Sequence, residues 1–213
     1  MALVSIAASA RAEPVEAPGK LASWQAPGFE QVQARVAAWL EEIKADPTVR
    51  AKVEPLWAGP ERPAGAELLG RLVRSFALAD ENARKLVEQC SGTKAPSSPP
   101  PQPWLADPKT PAWMARNVRL WYGRWLAQHR LFDEALEQLD GLPPEDVVDP
   151  ASLLFYQAIV YHRLLNRDAA MEALTRLLDG ADQGPRRYAT VARLMEADLK
   201  DLKEDSLDHI ARR

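Results

Sequence analysis

Proline decides where this chain can be regular. Pro96, Pro99, Pro100, Pro101, Pro103, Pro108 and Pro111, with Gly92, Ser97 and Ser98 among them, crowd residues 91–111. Each proline removes a backbone donor and clashes with the preceding helical turn, so neither a helix nor the middle of a sheet can pass through the stretch. It divides the sequence into a helical segment over 28–91, a linker over 92–110 and a second helical region over 111–213. Pro99 to Pro103 reads either as a semi-rigid spacer or as a polyproline ligand for an aromatic-lined groove. Trp104 and Trp113 stand beside it as anchors to the body.

On both sides of this barrier the apolar residues recur with helical spacing. Ala, Leu, Glu and Arg dominate, β-branched residues are thin and aromatics other than Trp are scarce, which predicts an all-α fold of antiparallel helical hairpins. Phe29, Val32, Val36, Trp39, Leu40 and Ile43 fall on one helix face. Asp46-Pro47 supplies a cap and a first-position proline for a short helix to about Leu56. Gly59, Pro60 and Pro63 break the pattern. Leu69, Leu72, Phe76, Ala79, Ala83, Leu86 and Cys90 then alternate steps of three and four, which predicts one helix from Ala64 to about Gln89, of roughly seven turns. Its apolar seam faces either the chain's own core or a second chain in a coiled coil.

Charge excludes little but does exclude a strong field. Lys plus Arg is 27 against 30 for Asp plus Glu, a formal charge of -3, so the chain has no basic excess to hold nucleic acid. One cysteine, Cys90, permits no internal disulfide, and three histidines far apart in sequence give no metal-ligand spacing; neither a metal nor another cofactor is expected. Ala2 to Ala10 is a small apolar run, and Ala10-Arg11-Ala12 before Glu13-Pro14 fits a signal-peptidase site, though no basic residue precedes the run. Residues 1–27 are expected to be either such a signal, directing export to the periplasm, or a disordered tail. No later segment approaches the roughly 18 uncharged apolar residues of a membrane span.

The second half carries a recurring unit. Leu120-Trp121-Tyr122-Gly123-Arg124-Trp125-Leu126, followed by His129-Arg130-Leu131-Phe132-Asp133-Glu134-Ala135-Leu136, resembles the tetratricopeptide repeat. The resemblance implies small contact residues at Gly123 and Ala135, a turn aromatic at Phe132, and core positions at Leu126 and Leu139. Asp149-Pro150 opens a second unit, with Ala158, Tyr161, Ala170, Leu174 and Leu177 in the corresponding positions. A third begins at Pro185 with Tyr188, Val191, Ala192 and Met195, and is expected to break near Asp205-Ser206 before a final helix to Arg213. Arg119, Arg167 and Glu204 depart from the family's pattern. The resemblance covers about 90 residues.

No GxSxG, HExxH or phosphate loop is present, and His129 and His162 read as solvated histidines. The expectation is a non-catalytic interaction or scaffold module. In the tetratricopeptide family the concave face lined by the first helix of each unit binds peptides or partner proteins. By that resemblance the face here comprises Asn117, Leu120, Arg124, Gln128, Phe155, Ile159, His162, Arg163, Arg186 and Arg193. Arg124, Arg163 and Arg193 would meet the carboxylates of a peptide or tail, and Phe155 would anchor an apolar side chain. A structural oligomer joined through the 69–90 seam and a hydrolase are the other readings.

Overall fold

The computed structural model describes residues 24–92 and 99–211, with side chains to residue 201. Within them the chain is all-α. Helices α1 (Phe29–Glu42), α2 (Pro47–Trp57), α3 (Gly65–Ala79) and α4 (Glu81–Cys90) precede the proline-rich stretch. Helices α5 (Ala112–Gln128), α6 (Phe132–Leu139), α7 (Pro150–Arg163), α8 (Arg167–Asp179) and α9 (Arg186–Ala211) follow it. Two helix starts expected from Asp-Pro pairs are in place. Asp46 accepts from Thr48 N at 2.8 Å with Pro47 opening α2, and Asp149 accepts from Ser152 N at 3.1 Å with Pro150 opening α7. Each carboxylate satisfies a backbone donor that has no partner inside the first turn.

The helix expected over Ala64 to Gln89 is two helices. Asp80 is extended, at φ -128 and ψ 128, and its side chain accepts from Ala83 N at 2.9 Å while its N–H closes α3 on Phe76 O. Asp serves as the cap of a second helix here, and α3 and α4 fold onto one another. Spacing alone misses this break because the apolar steps keep their register through it. The seam itself, Leu69, Leu72, Phe76, Ala83, Leu86 and Cys90, is buried within the one chain. Cys90 behaves as a small apolar residue, and burial pushes its thiol up to about 12. At the other end α9 runs unbroken through Asp205 and Ser206 to Ala211, where a break was expected.

One core crosses the proline-rich stretch. A cluster from Phe29 to Val160 joins α1–α4 to α5–α7, with the Phe76 ring edge-on to Trp113 at 5.2 Å. Residues 99–111 follow this surface through a 3₁₀ turn at Pro103–Ala106, with Leu105 buried and Thr110 Oγ1 donating to Trp104 O at 2.7 Å. A second cluster fills the space among α7, α8 and α9. Its outer wall comes from the lead-in, where order was expected only from Pro27. Trp24 is 3% exposed, lies over Gly180 and donates from Nε1 to Arg176 O at 2.7 Å. Gln183 holds the same strand from both sides, accepting from Ala26 N and donating to Trp24 O. A Cβ at Gly180 would stand 2.5 Å from the indole, so only glycine permits the contact. Residues 1–23, including the expected cleavage site, lie outside the described residues. Trp24→Ala is expected to lower the unfolding free energy by about 3 kcal/mol in a denaturant titration, because it empties a closed site beside the second core.

Candidate partner-binding face

Local sequence sets the hairpins and side chains set their order. Arg119 donates to the carbonyls of Glu137 and Asp140, so α6 returns antiparallel along α5. Gly123 brings the two together: a Cβ there would lie 2.7 Å from the Leu139 side chain. Ala135, Ala158 and Ala170 are likewise fully buried. Between α5 and α7 the contacts climb together, from Asn117 to Val148 and from Gln128 to Tyr156. Between α7 and α9 they do so again. Ser152 Oγ meets Tyr188 Oη at 3.0 Å and His162 Nε2 lies 3.7 Å from Asp198 Oδ2, each partner 36 residues further on. Helices α5, α7 and α9 therefore run side by side in one direction. Helices α6 and α8 return between them.

The ten residues expected on this face are divided by the structure. Asn117 and Leu120 are completely buried, and α3 packs against both α5 and α7. Asn117 is a brace: its amide donates to Trp113 O at 2.9 Å and its carbonyl accepts from Val148 N at 2.9 Å. Arg124 is also committed to the fold. Its guanidinium lies 3.3 Å from the buried Asp149 carboxylate and 5.5 Å from the Tyr156 ring centroid. Both acceptor and stacking face are thus taken.

Gln128, Phe155, Ile159, His162 and Arg163 do come together. Gln128 donates to Tyr156 Oη at 2.8 Å, and Phe155 stacks on Tyr188 at 4.2 Å while meeting Tyr156 edge-on at 5.4 Å. Ile159 is half-buried beside them, and Arg163 is exposed at the end of α7 with no ion pair to a described residue. Arg186 and Arg193 are exposed, but on another side. At 100° per residue they stand about 120° and 140° round α9 from Asp198, the residue that faces α7. Val191 and Leu194 take their place, 38% and 67% exposed on the side of α9 that Asp198 marks. Val191 was expected only among the first-helix positions of the third unit. Tyr156 was passed over, although it lies three residues before Ile159 and seven before Arg163 and so on the same stripe.

The result is a shallow face with an aromatic and aliphatic centre, Tyr156, Ile159, Val191 and Leu194, bordered by Gln128, Arg163 and the His162–Asp198 pair. Among the described residues, no His, Cys, Asp and Glu side chains group as metal ligands, and no helix is long and apolar enough to cross a membrane. Compared with protein-family models, curated proteins and solved structures, the chain matches none.

Asp149 carries both the cap of α7 and the ion pair to Arg124, and two substitutions separate them. Asp149→Asn retains a capping side chain for Ser152 N and is expected to cost the pair alone. Asp149→Ala also removes the cap, and is expected to be the more destabilising by about 1 kcal/mol in equilibrium unfolding.

Proposed function

We propose that the chain is a non-catalytic protein–protein interaction or scaffold module, similar to a tetratricopeptide array, and that the face formed by α5, α7 and α9 binds a peptide of a partner protein. The observation that carries the reading is the parallel placement of these three helices with an apolar stripe left outward between polar ends. Helices of a closed core turn such residues inward, whereas a surface that receives a partner presents an apolar centre and a polar rim. The buried small residues Gly123, Ala135, Ala158 and Ala170 support the likeness to the repeat. The seam at 69–90 is consumed inside the chain, which weighs against an oligomer built on it.

In this reading Ile159 and Leu194 receive an apolar side chain, and Arg163 meets a carboxylate of the same segment. Phe155 supports Tyr156 from below. The Ala2–Ala10 run with Ala10-Arg11-Ala12 supports export to the periplasm as the setting.

Affinity capture on immobilised wild type and on Ile159→Glu/Arg163→Glu tests this, with the recovered proteins identified by mass spectrometry. A partner held by wild type is expected to fall at least tenfold on the double variant, since a charge at the centre of a small interface removes a principal contact. Arg193→Glu is expected to leave recovery unchanged. Equal recovery on wild type and on a double variant with unaltered circular dichroism would overturn the reading.

A further inference from the structure

A second site lies on the side of α7 turned away from that face. Leu154, Gln157 and Tyr161 each stand two residues before Tyr156, Ile159 and Arg163, and so about 200° round the helix from them. There the turn after α6 meets α7 and α8 around a cavity of about 300 Å³, at the lower end of the range for sites that take small molecules. Leu142, Pro143, Leu154 and Ala173 give it apolar walls. Its polar lining comes from Gln157 and Tyr161 of α7 and from Glu172 and Arg176 of α8.

Each of these polar groups has bonding capacity to spare. Gln157 is 8% exposed, and its Nε2 donates to Leu139 O at 2.8 Å, which fixes the orientation of the amide. Its Oε1 accepts from no described residue, yet it is not sealed from solvent. Side chains so deeply buried almost always have their acceptors satisfied, so one left over in the lining of a cavity marks a place for a donor supplied from outside. Tyr161 Oη commits its proton to Asp140 at 2.6 Å and can otherwise only accept. The Glu172 carboxylate forms no ion pair with a described residue. The Arg176 side chain is 25% exposed, and its one ion pair among the described residues, to Glu145, spans 3.9 Å. Its backbone is held in place, because Arg176 O accepts from Trp24 Nε1 at 2.7 Å.

Acceptors on one side, a guanidinium on the other and an apolar wall between them are the complement of a zwitterion. An ammonium offers three donors and a carboxylate matches the guanidinium fork. A purely anionic ligand would meet Glu172 and a purely cationic one Arg176, so neither suits the whole lining. We propose that this cavity binds a free α-amino acid with an apolar side chain, its carboxylate on Arg176, its ammonium among Glu172, Gln157 Oε1 and Tyr161 Oη, and its side chain against Leu142, Leu154 and Ala173. The site is separate from the α5–α7–α9 face and does not depend on the reading of that face.

Isothermal titration calorimetry of the full chain with L-leucine and with L-phenylalanine tests the proposal, and saturable binding to a single site is expected for at least one of them. The amide of that amino acid, which lacks the carboxylate, and its desamino acid, isocaproate or hydrocinnamate, are each expected to bind about tenfold or more weakly, because each leaves polar groups of the lining unpaired. Arg176→Gln is expected to weaken the amino acid about tenfold or more. Ala169→Phe, which sets a ring at a half-buried position of the lining, is expected to abolish binding. Arg163→Glu, on the other face, is expected to leave it unchanged. Absence of binding by both amino acids at millimolar concentration would overturn the proposal, and so would equal binding of the desamino acid or wild-type affinity in a folded Arg176→Gln variant. Should either cavity variant lose its helical circular dichroism, the comparison of ligands on the wild type still decides it.

Discussion

The buried carboxylate of Asp149 is the constraint around which the second half is arranged. One oxygen opens α7 by accepting from Ser152 N, and the other faces the Arg124 guanidinium from α5. Gly65, the first residue of α3, lies close enough that an added Cβ would stand 3.5 Å from the same group. Three helices distant in sequence therefore meet at a single charge that is 2% exposed. A carboxylate so deeply placed is tolerable only with its partner and its backbone donor in position. That requirement fixes the height of α7 against α5, and with it the positions of Tyr156 and Ile159 on the outer face.

Helix α7 owes its role to burial on several sides. Leu153 and Val160 belong to the first core, Leu154 and Ala158 to the second, and Gln157 donates to Leu139 O at 2.8 Å across to α6. Tyr161 donates to Asp140 at 2.6 Å, and burial, together with that bond, holds its phenol well above the usual tyrosine range. What remains outward is a narrow stripe of aromatic and aliphatic side chains and a terminal arginine. The stripe is thus defined by the packing of the other sides.

Much of the fold can be read from residue order because the signals are local. Asp-Pro pairs announce α2 and α7, three- and four-residue steps announce the helices, and the prolines after Gly92 announce the end of α4 within two residues. The failures share a cause. Asp80 interrupts a helix without disturbing its apolar register, so spacing carries no trace of the break. Asn117, Leu120 and Arg124 were assigned outward on the assumption that α5 has one free side, whereas Leu120 is buried and Asn117 and Arg124 are engaged by Val148, Asp149 and Tyr156, residues far away in sequence. In α9 a break near Asp205-Ser206 was expected because Glu204 stands where the resembled repeat has a small residue, yet the helix runs on to Ala211, with pairs such as Lys200 and Glu196 at 2.9 Å one turn apart. The partner-binding candidates suffered most, because being outward is a property of the neighbours of a helix more than of its own residues.

The docking of Trp24 over Gly180 joins residues 152 positions apart along the chain, from Trp24 Nε1 to the Arg176 carbonyl. During synthesis the indole leaves the ribosome long before α8 exists to receive it. The opening segment must therefore stay uncommitted while seven helices form behind it, and long-range closures of this kind slow the final step of folding. Trp24 is thus a closing clasp, seated only after α8 and Gly180 are in place to receive it.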